Sequence, residues 1–131
     1  MDKELVKMTE ELVSFQTAKK LKEVGFDIPV SEFYLSQTES LYEEGDMFEL
    51  NNHNEYPDVI SAPTQSLAQK WLLEIHKIWV EMTLWEHGWN CIIKRIEEDG
   101  IYNRGLVNTP SKDRVEIFEA GLLKALETIR P

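Results

Sequence analysis

Residues 78–86 and 89–97 are two alternating runs that meet at His87-Gly88, and nothing else in the chain restricts its fold as tightly. In a strand, successive side chains point to opposite faces, so alternation of this kind marks half-buried strands. A glycine at the junction can take the positive φ of a tight hairpin. With His87-Gly88 as the loop, Trp85 falls opposite Asn90, Thr83 opposite Ile92, Glu81 opposite Lys94 and Trp79 opposite Ile96. This register sets opposite charges face to face and pairs Met82 with Ile93 behind them. Ile78, Val80, Met82, Leu84, Cys91 and Ile93 then form an apolar face expected to be core. The second face mixes Trp79, Trp85, Ile92 and Ile96 with Glu81, Thr83, Asn90 and Lys94.

Helical periodicity flanks the hairpin. Leu67, Ala68, Trp71, Leu72 and Ile75 draw one stripe after the helix-start chemistry of Ser61-Ala62-Pro63-Thr64, with Lys70 and Glu74 on the other side. After a turn at Glu98-Asp99-Gly100, residues 101–107 suit a short third strand, and Gly105 reads with Gly100 as a turn glycine. A last helix carries Val115, Phe118, Leu122, Ala125, Leu126 and Ile129, and Gly121 within it implies close approach to another element. Near the start, a stripe from Leu5 through Met8, Leu12, Phe15, Ala18 and Leu21 to Val24 ends at Gly25; Ser14 can cap a fresh helix over 14–24. Between Glu32 and Asn52, the groups Phe33-Tyr34-Leu35, Leu41-Tyr42 and Met47-Phe48 with Leu50 suit short strands, with a turn at Glu44-Gly45-Asp46. Residues 51–58 have turn chemistry and are expected as a surface loop.

The expected class is α+β, a small antiparallel sheet with a central hairpin packed against two or three helices. At 131 residues and 42% hydrophobic content, one core suffices. We therefore expect a single domain over 1–131, with an acidic helix and aromatic strands in 1–60 and helix, hairpin, short strand and helix in 61–131. No apolar run is long enough to span a bilayer, and the first residues lack signal-peptide order, so a cytoplasmic location is expected.

The net charge of -10 is concentrated in the first half; from Glu23 to Pro63 there is no Lys or Arg among ten acids. Such a field repels phosphate backbones and anionic lipid, so neither nucleic acid nor membrane is an expected partner. The order of elements in 64–131 matches the double-stranded-RNA-binding fold in outline, but the basic stripe that such modules need is absent: Lys112, Arg114, Lys124 and Arg130 alternate with Asp113, Glu116, Glu119 and Glu127. The acids among Leu41, Tyr42, Met47, Phe48 and Leu50 are expected to face water while those apolar residues are buried.

Motifs for chemistry are scarce. His53, His76 and His87 show no metal-ligand spacing and are expected as surface or capping residues, and the acidic turns do not follow calcium-loop order. Cys91 is the sole cysteine and its strand register turns it inward, as a structural thiol. No phosphate loop, nucleophile elbow or dinucleotide fingerprint occurs. No catalytic residue, metal or cofactor is therefore expected.

Three phrases add a resemblance: residues 13–27 (Val13-Ser14-Phe15-Gln16-Thr17 onward to Asp27), residues 61–72 (Ser61-Ala62-Pro63-Thr64 onward to Leu72) and residues 119–126 (Glu119-Ala120-Gly121 onward to Leu126). In this order, around an aromatic segment and a Trp-rich hairpin, they resemble a family of uncharacterised small proteins of bacteriophages, prophages and other mobile elements of anaerobic gut bacteria. The likeness spans most of the chain, less so the acidic stretch around Glu43 to Glu55, and implies a phage or mobile-element setting without an activity. The leading expectation from the residues is a non-enzymatic interaction module binding a protein, including a second copy of itself, through Trp79, Trp85, Ile92 and Ile96. The bland alternative has the first helix or the aromatic strands covering that face. Two other classes are an acidic decoy that imitates nucleic acid toward a host DNA-binding protein and an enzyme with an unrecognised carboxylate site.

Overall fold

Each helix starts where a side chain can satisfy free backbone donors. The computed structural model describes residues 11–43 and 50–129. In helix α1 (Phe15–Glu23), Ser14 accepts from the Thr17 amide, and Gly25 at φ +94° lies just beyond the end. In α2 (Gln65–His76), Thr64 is the cap, accepting from Leu67 at 3.1 Å, and Lys77 closes the helix in the left-handed region. In α3 (Arg114–Glu127), Asp113 accepts from Val115 and Glu116.

The strands form two antiparallel sheets. β1 (Glu32–Leu35), β2 (Leu41–Glu43) and β3 (Val59–Ser61) pair in the order β2-β1-β3. β4 (Ile78–Trp85), β5 (Gly88–Glu97) and β6 (Gly100–Ser111) pair in sequence order. The architecture is α+β, as the periodicities imply, but with a second sheet made from the acidic half.

The hairpin register differs from expectation by two residues. Trp85 lies opposite Gly88, Thr83 opposite Asn90, Glu81 opposite Ile92 and Trp79 opposite Lys94, while Met82 faces Cys91 and Val80 faces Ile93. A His87-Gly88 loop of the mirror-image type needs positive φ at both residues. Gly88 takes it, at +130°, and His87 does not, so the turn moves back to Glu86-His87 and the glycine enters the ladder. Gly88 is also pressed by β6: an added Cβ would lie 2.6 Å from the Ser111 carbonyl oxygen. Because the shift is even, every side chain keeps its face. Glu81 and Lys94 become diagonal neighbours and still meet, Nζ to Oε2 at 3.1 Å.

Ile78, Val80, Cys91 and Ile93 on the inner face are at most 1% exposed, beneath the helices. Met82 is half-buried, and Leu84, expected in the core, is 66% exposed because the helical cover ends before it. α3 lies directly on this face. A Cβ on Gly121 would collide with Cys91 Sγ and come within 3.0 Å of Val80 Cγ1, which is the close approach the glycine implied. Glu119 of α3 then ties down both other helices: it accepts from the Ser14 amide at 2.6 Å and from Gln65 Nε2 at 3.1 Å.

Other expectations need correction. Ser61 belongs to β3 and is buried, so the helix-start signal begins only at Thr64. Residues 101–107 are part of a twelve-residue strand, with Gly105 inside it beneath Lys124 rather than in a turn. Ile75 is 60% exposed, and Leu41, Tyr42 and Leu50 are also exposed instead of buried. Residues 51–58 are more than a surface loop: Asn54 bonds the Phe26 carbonyl and the Ser61 amide, and His53 is buried. Leu5, Met8, the turn at 44–46 and Met47-Phe48 lie outside the described residues.

The free edge of β4 is partly closed. Ile96 donates to Lys77 at 2.8 Å, so by alternation Ile78, Val80, Met82 and Leu84 direct their backbone groups away from β5. Gln69 of α2 donates its side-chain amide to the Val80 carbonyl at 2.6 Å, occupying one of these edge acceptors.

The tight contact at Gly121 yields a first expected result. Gly121→Ala should lower unfolding free energy by about 1–3 kcal/mol through overpacking. Adding Cys91→Ala to that variant should cost less than Cys91→Ala does alone, because the sulfur is the colliding group; urea denaturation of the double-mutant cycle checks this.

Candidate interaction face

Once the helices occupy the inner side of β4–β5–β6, the outer side holds the four residues singled out by the sequence. Trp79 and Ile92 are half-buried, Trp85 is 63% exposed and Ile96 is 38% exposed. The ladder puts all four on one face and adds residues from β6 that sequence reasoning missed. Ile101 pairs with Ile96 and Leu106 with Ile92, and both are exposed. Their signal was the alternation of Ile101, Asn103 and Leu106, broken by one position where the register shifts between Ile93 and Lys94. That bulge inserts Arg104, which pairs with Glu97 at 3.3 Å.

Neither α1 nor the first sheet lies over this face. α1 is held to α3 through Ser14 and Glu119, and Tyr34 of β1 packs edge-on against Phe15 and donates its hydroxyl to the Val13 carbonyl at 2.7 Å. A shallow cleft of about 650 Å³ opens on the outer face, lined by Trp85, Ile92, Asn103, Arg104, Gly105 and Leu106. Its walls are mainly apolar, and the Glu81–Lys94 pair beside it is internally neutral. Thr83 and Asn90 sit opposite each other, and Thr83 Oγ1 and Asn90 Oδ1 are buried without a hydrogen-bond partner.

The groups capable of chemistry lie elsewhere. Cys91 is fully buried, and burial, with Glu81 adding to it, pushes its thiol up to about 12. It has no thiolate and no access at neutral pH, so it is no nucleophile. His53, expected at the surface, is sealed against Phe33 with Nε2 3.0 Å from the Val30 carbonyl oxygen. His87 is exposed in the hairpin turn. His76 ends α2 with its ring edge-on to Trp71, and its Nε2 is buried without a partner. A second cleft of about 460 Å³ joins His76 to Arg95, Glu97, Arg104, Thr128 and Ile129, a polar hollow beyond the ends of α2 and α3. Among the described residues no three His, Cys, Asp or Glu side chains are grouped to hold a metal. No helix among them is long and apolar enough to cross a membrane.

The chain matches no protein-family model, no curated protein and no solved structure.

Two outcomes follow from these environments. Cys91 should resist a water-soluble disulfide reagent in the native protein at pH 8 and react fully in denaturant, as followed by absorbance. Burial and then Arg95 hold His76 below its ordinary value of 6.5. Its neutral form therefore stabilises the fold above pH 6.5, and that contribution is lost as pH falls from about 6.5 toward the depressed native value. The loss of stability between pH 7 and pH 5.5 in urea melts should shrink in His76→Gln.

Proposed function

We propose that this chain is a non-enzymatic, cytoplasmic protein-interaction module that binds a protein partner through the outer face of β4–β5–β6. The observation that carries the reading is the row of uncovered apolar side chains, Trp85, Ile96, Ile101 and Leu106, on the side of the sheet away from the helices. Trp85 and Leu106 lie toward the hairpin end of the face and Ile96 with Ile101 at its far end, and exposed apolar side chains that include a tryptophan are typical of binding sites. The phage or mobile-element setting suggested by the sequence resemblance is part of the same proposal, as is a partner that is neither nucleic acid nor membrane, given the charge of -10.

The test is affinity capture from lysate of a host strain with the tagged wild-type chain and with Trp85→Ser/Ile101→Ser. Both substitutions fall on exposed positions, so the fold should survive, as circular dichroism would register. We expect at least one protein to be retained by the wild type and lost from the double variant. Identical captured sets from the two chains would count against the outer face as the binding site.

A further inference from the structure

We infer that the outer face of β4–β5–β6 is occupied by a second copy of this chain, the two sheets packing face to face about a two-fold axis; this rests on the interaction reading above. Three features select a second copy over a foreign protein. First, the face complements itself. Trp85 projects from the end of β4, 63% exposed, and itself forms one wall of a cleft completed by Ile92 and Leu106. Under two-fold symmetry, a ring and the cleft it borders are matched twice, each Trp85 packing against the Trp85, Ile92 and Leu106 wall of the other copy.

Second, the charge pattern permits it. Each chain carries a net charge of -10, yet the acidic excess lies in residues 23–63, outside this sheet. On the face itself Glu81 and Lys94 cancel at 3.1 Å, and at its margin Arg104 is paired with Glu97. Two such faces meet without local repulsion, whereas an acidic or a basic partner would find no charge to complement. Third, the size is sufficient but small. Three strands about 4.8 Å apart and about 30 Å long make a face of roughly 400 Å² in projection. Standard interfaces bury about 800 Å² of accessible surface per partner, so side-chain relief brings this one only to the lower end, the size class of transient, reversible contacts.

The salt dependence has a definite sign. The contact is apolar and the approaching chains repel as wholes, so added salt should tighten the dimer by screening that repulsion. A complex built on opposite charges would loosen instead.

Sedimentation equilibrium of the full chain from 5 to 500 µM, in 0.05 M and 0.5 M NaCl, tests the inference. We expect a monomer–dimer equilibrium that tightens at the higher salt, weakens at least about tenfold in Trp85→Ser and in Leu106→Ser, and is unchanged in Ile75→Ser, which removes an equally exposed apolar residue from α2. Tryptophan emission should shift to the blue across the same concentration range, and Trp85→Phe should remove most of that shift. A strict monomer at 500 µM in 0.5 M NaCl overturns the inference, as does a dimer that tolerates both face substitutions or that is loosened by salt. If the chain is monomeric but still captures a lysate protein through Trp85 and Ile101, the second copy falls and the interaction reading stands; if that capture is also independent of the face, both fall.

Discussion

The contact of α3 with the inner side of the β4–β5 hairpin organises this molecule. Gly121 has no side chain, so the helix backbone settles onto Cys91 and Val80 and seals Ile78 and Ile93 beside them. From that seat one carboxylate, Glu119, reaches both the start of α1 and the start of α2. The smaller sheet follows α1, through Tyr34 and the Val13 carbonyl. All the covering elements are thus gathered on one side by a chain of contacts that starts at a missing methyl group. On the other side of the sheet, Trp85, Ile96, Ile101 and Leu106 remain exposed.

Much of this was legible because periodicity records faces even where it does not record pairings. Moving the hairpin by two residues changed every cross-strand partner and no side chain's face, so Trp79, Trp85, Ile92 and Ile96 stayed together. Gly121 was legible for a similar reason: a costly residue in a helix needs a local cause. Distances along the chain hid the rest. His53 looks like a loop residue until Val30, far upstream, supplies a carbonyl to its ring. Val59, Ile60 and Ser61 are too few to announce a strand, and they form one only because β1 lies beside them. Ile75 and Leu84 continue apolar patterns past the point where the neighbouring element ends, and periodicity carries no information about that end.

Chemistry and charge are separated in the same way. The sole thiol is walled in and kept protonated, and the three histidines lie apart, His53 and His76 against aromatic rings and His87 in the hairpin turn. The acidic excess belongs to residues 23–63 of the sequence, outside the larger sheet, and on that sheet's outer face Glu81 is neutralised by Lys94. Long-range repulsion then keeps unrelated anionic surfaces at a distance while the short-range contact remains available.

The side-chain amide of Gln69 on the Val80 carbonyl has a consequence for the size of any assembly. An uncovered β4, rich in β-branched and aromatic residues, would present a template for a neighbour's strand, and sheets that grow by their edges have no natural last member. By occupying an acceptor midway along that edge, α2 interrupts the template. Strand addition is hindered on the β4 side, whereas pairing through a face consumes the surface it uses. At this edge the glutamine therefore favours contacts that terminate over contacts that propagate.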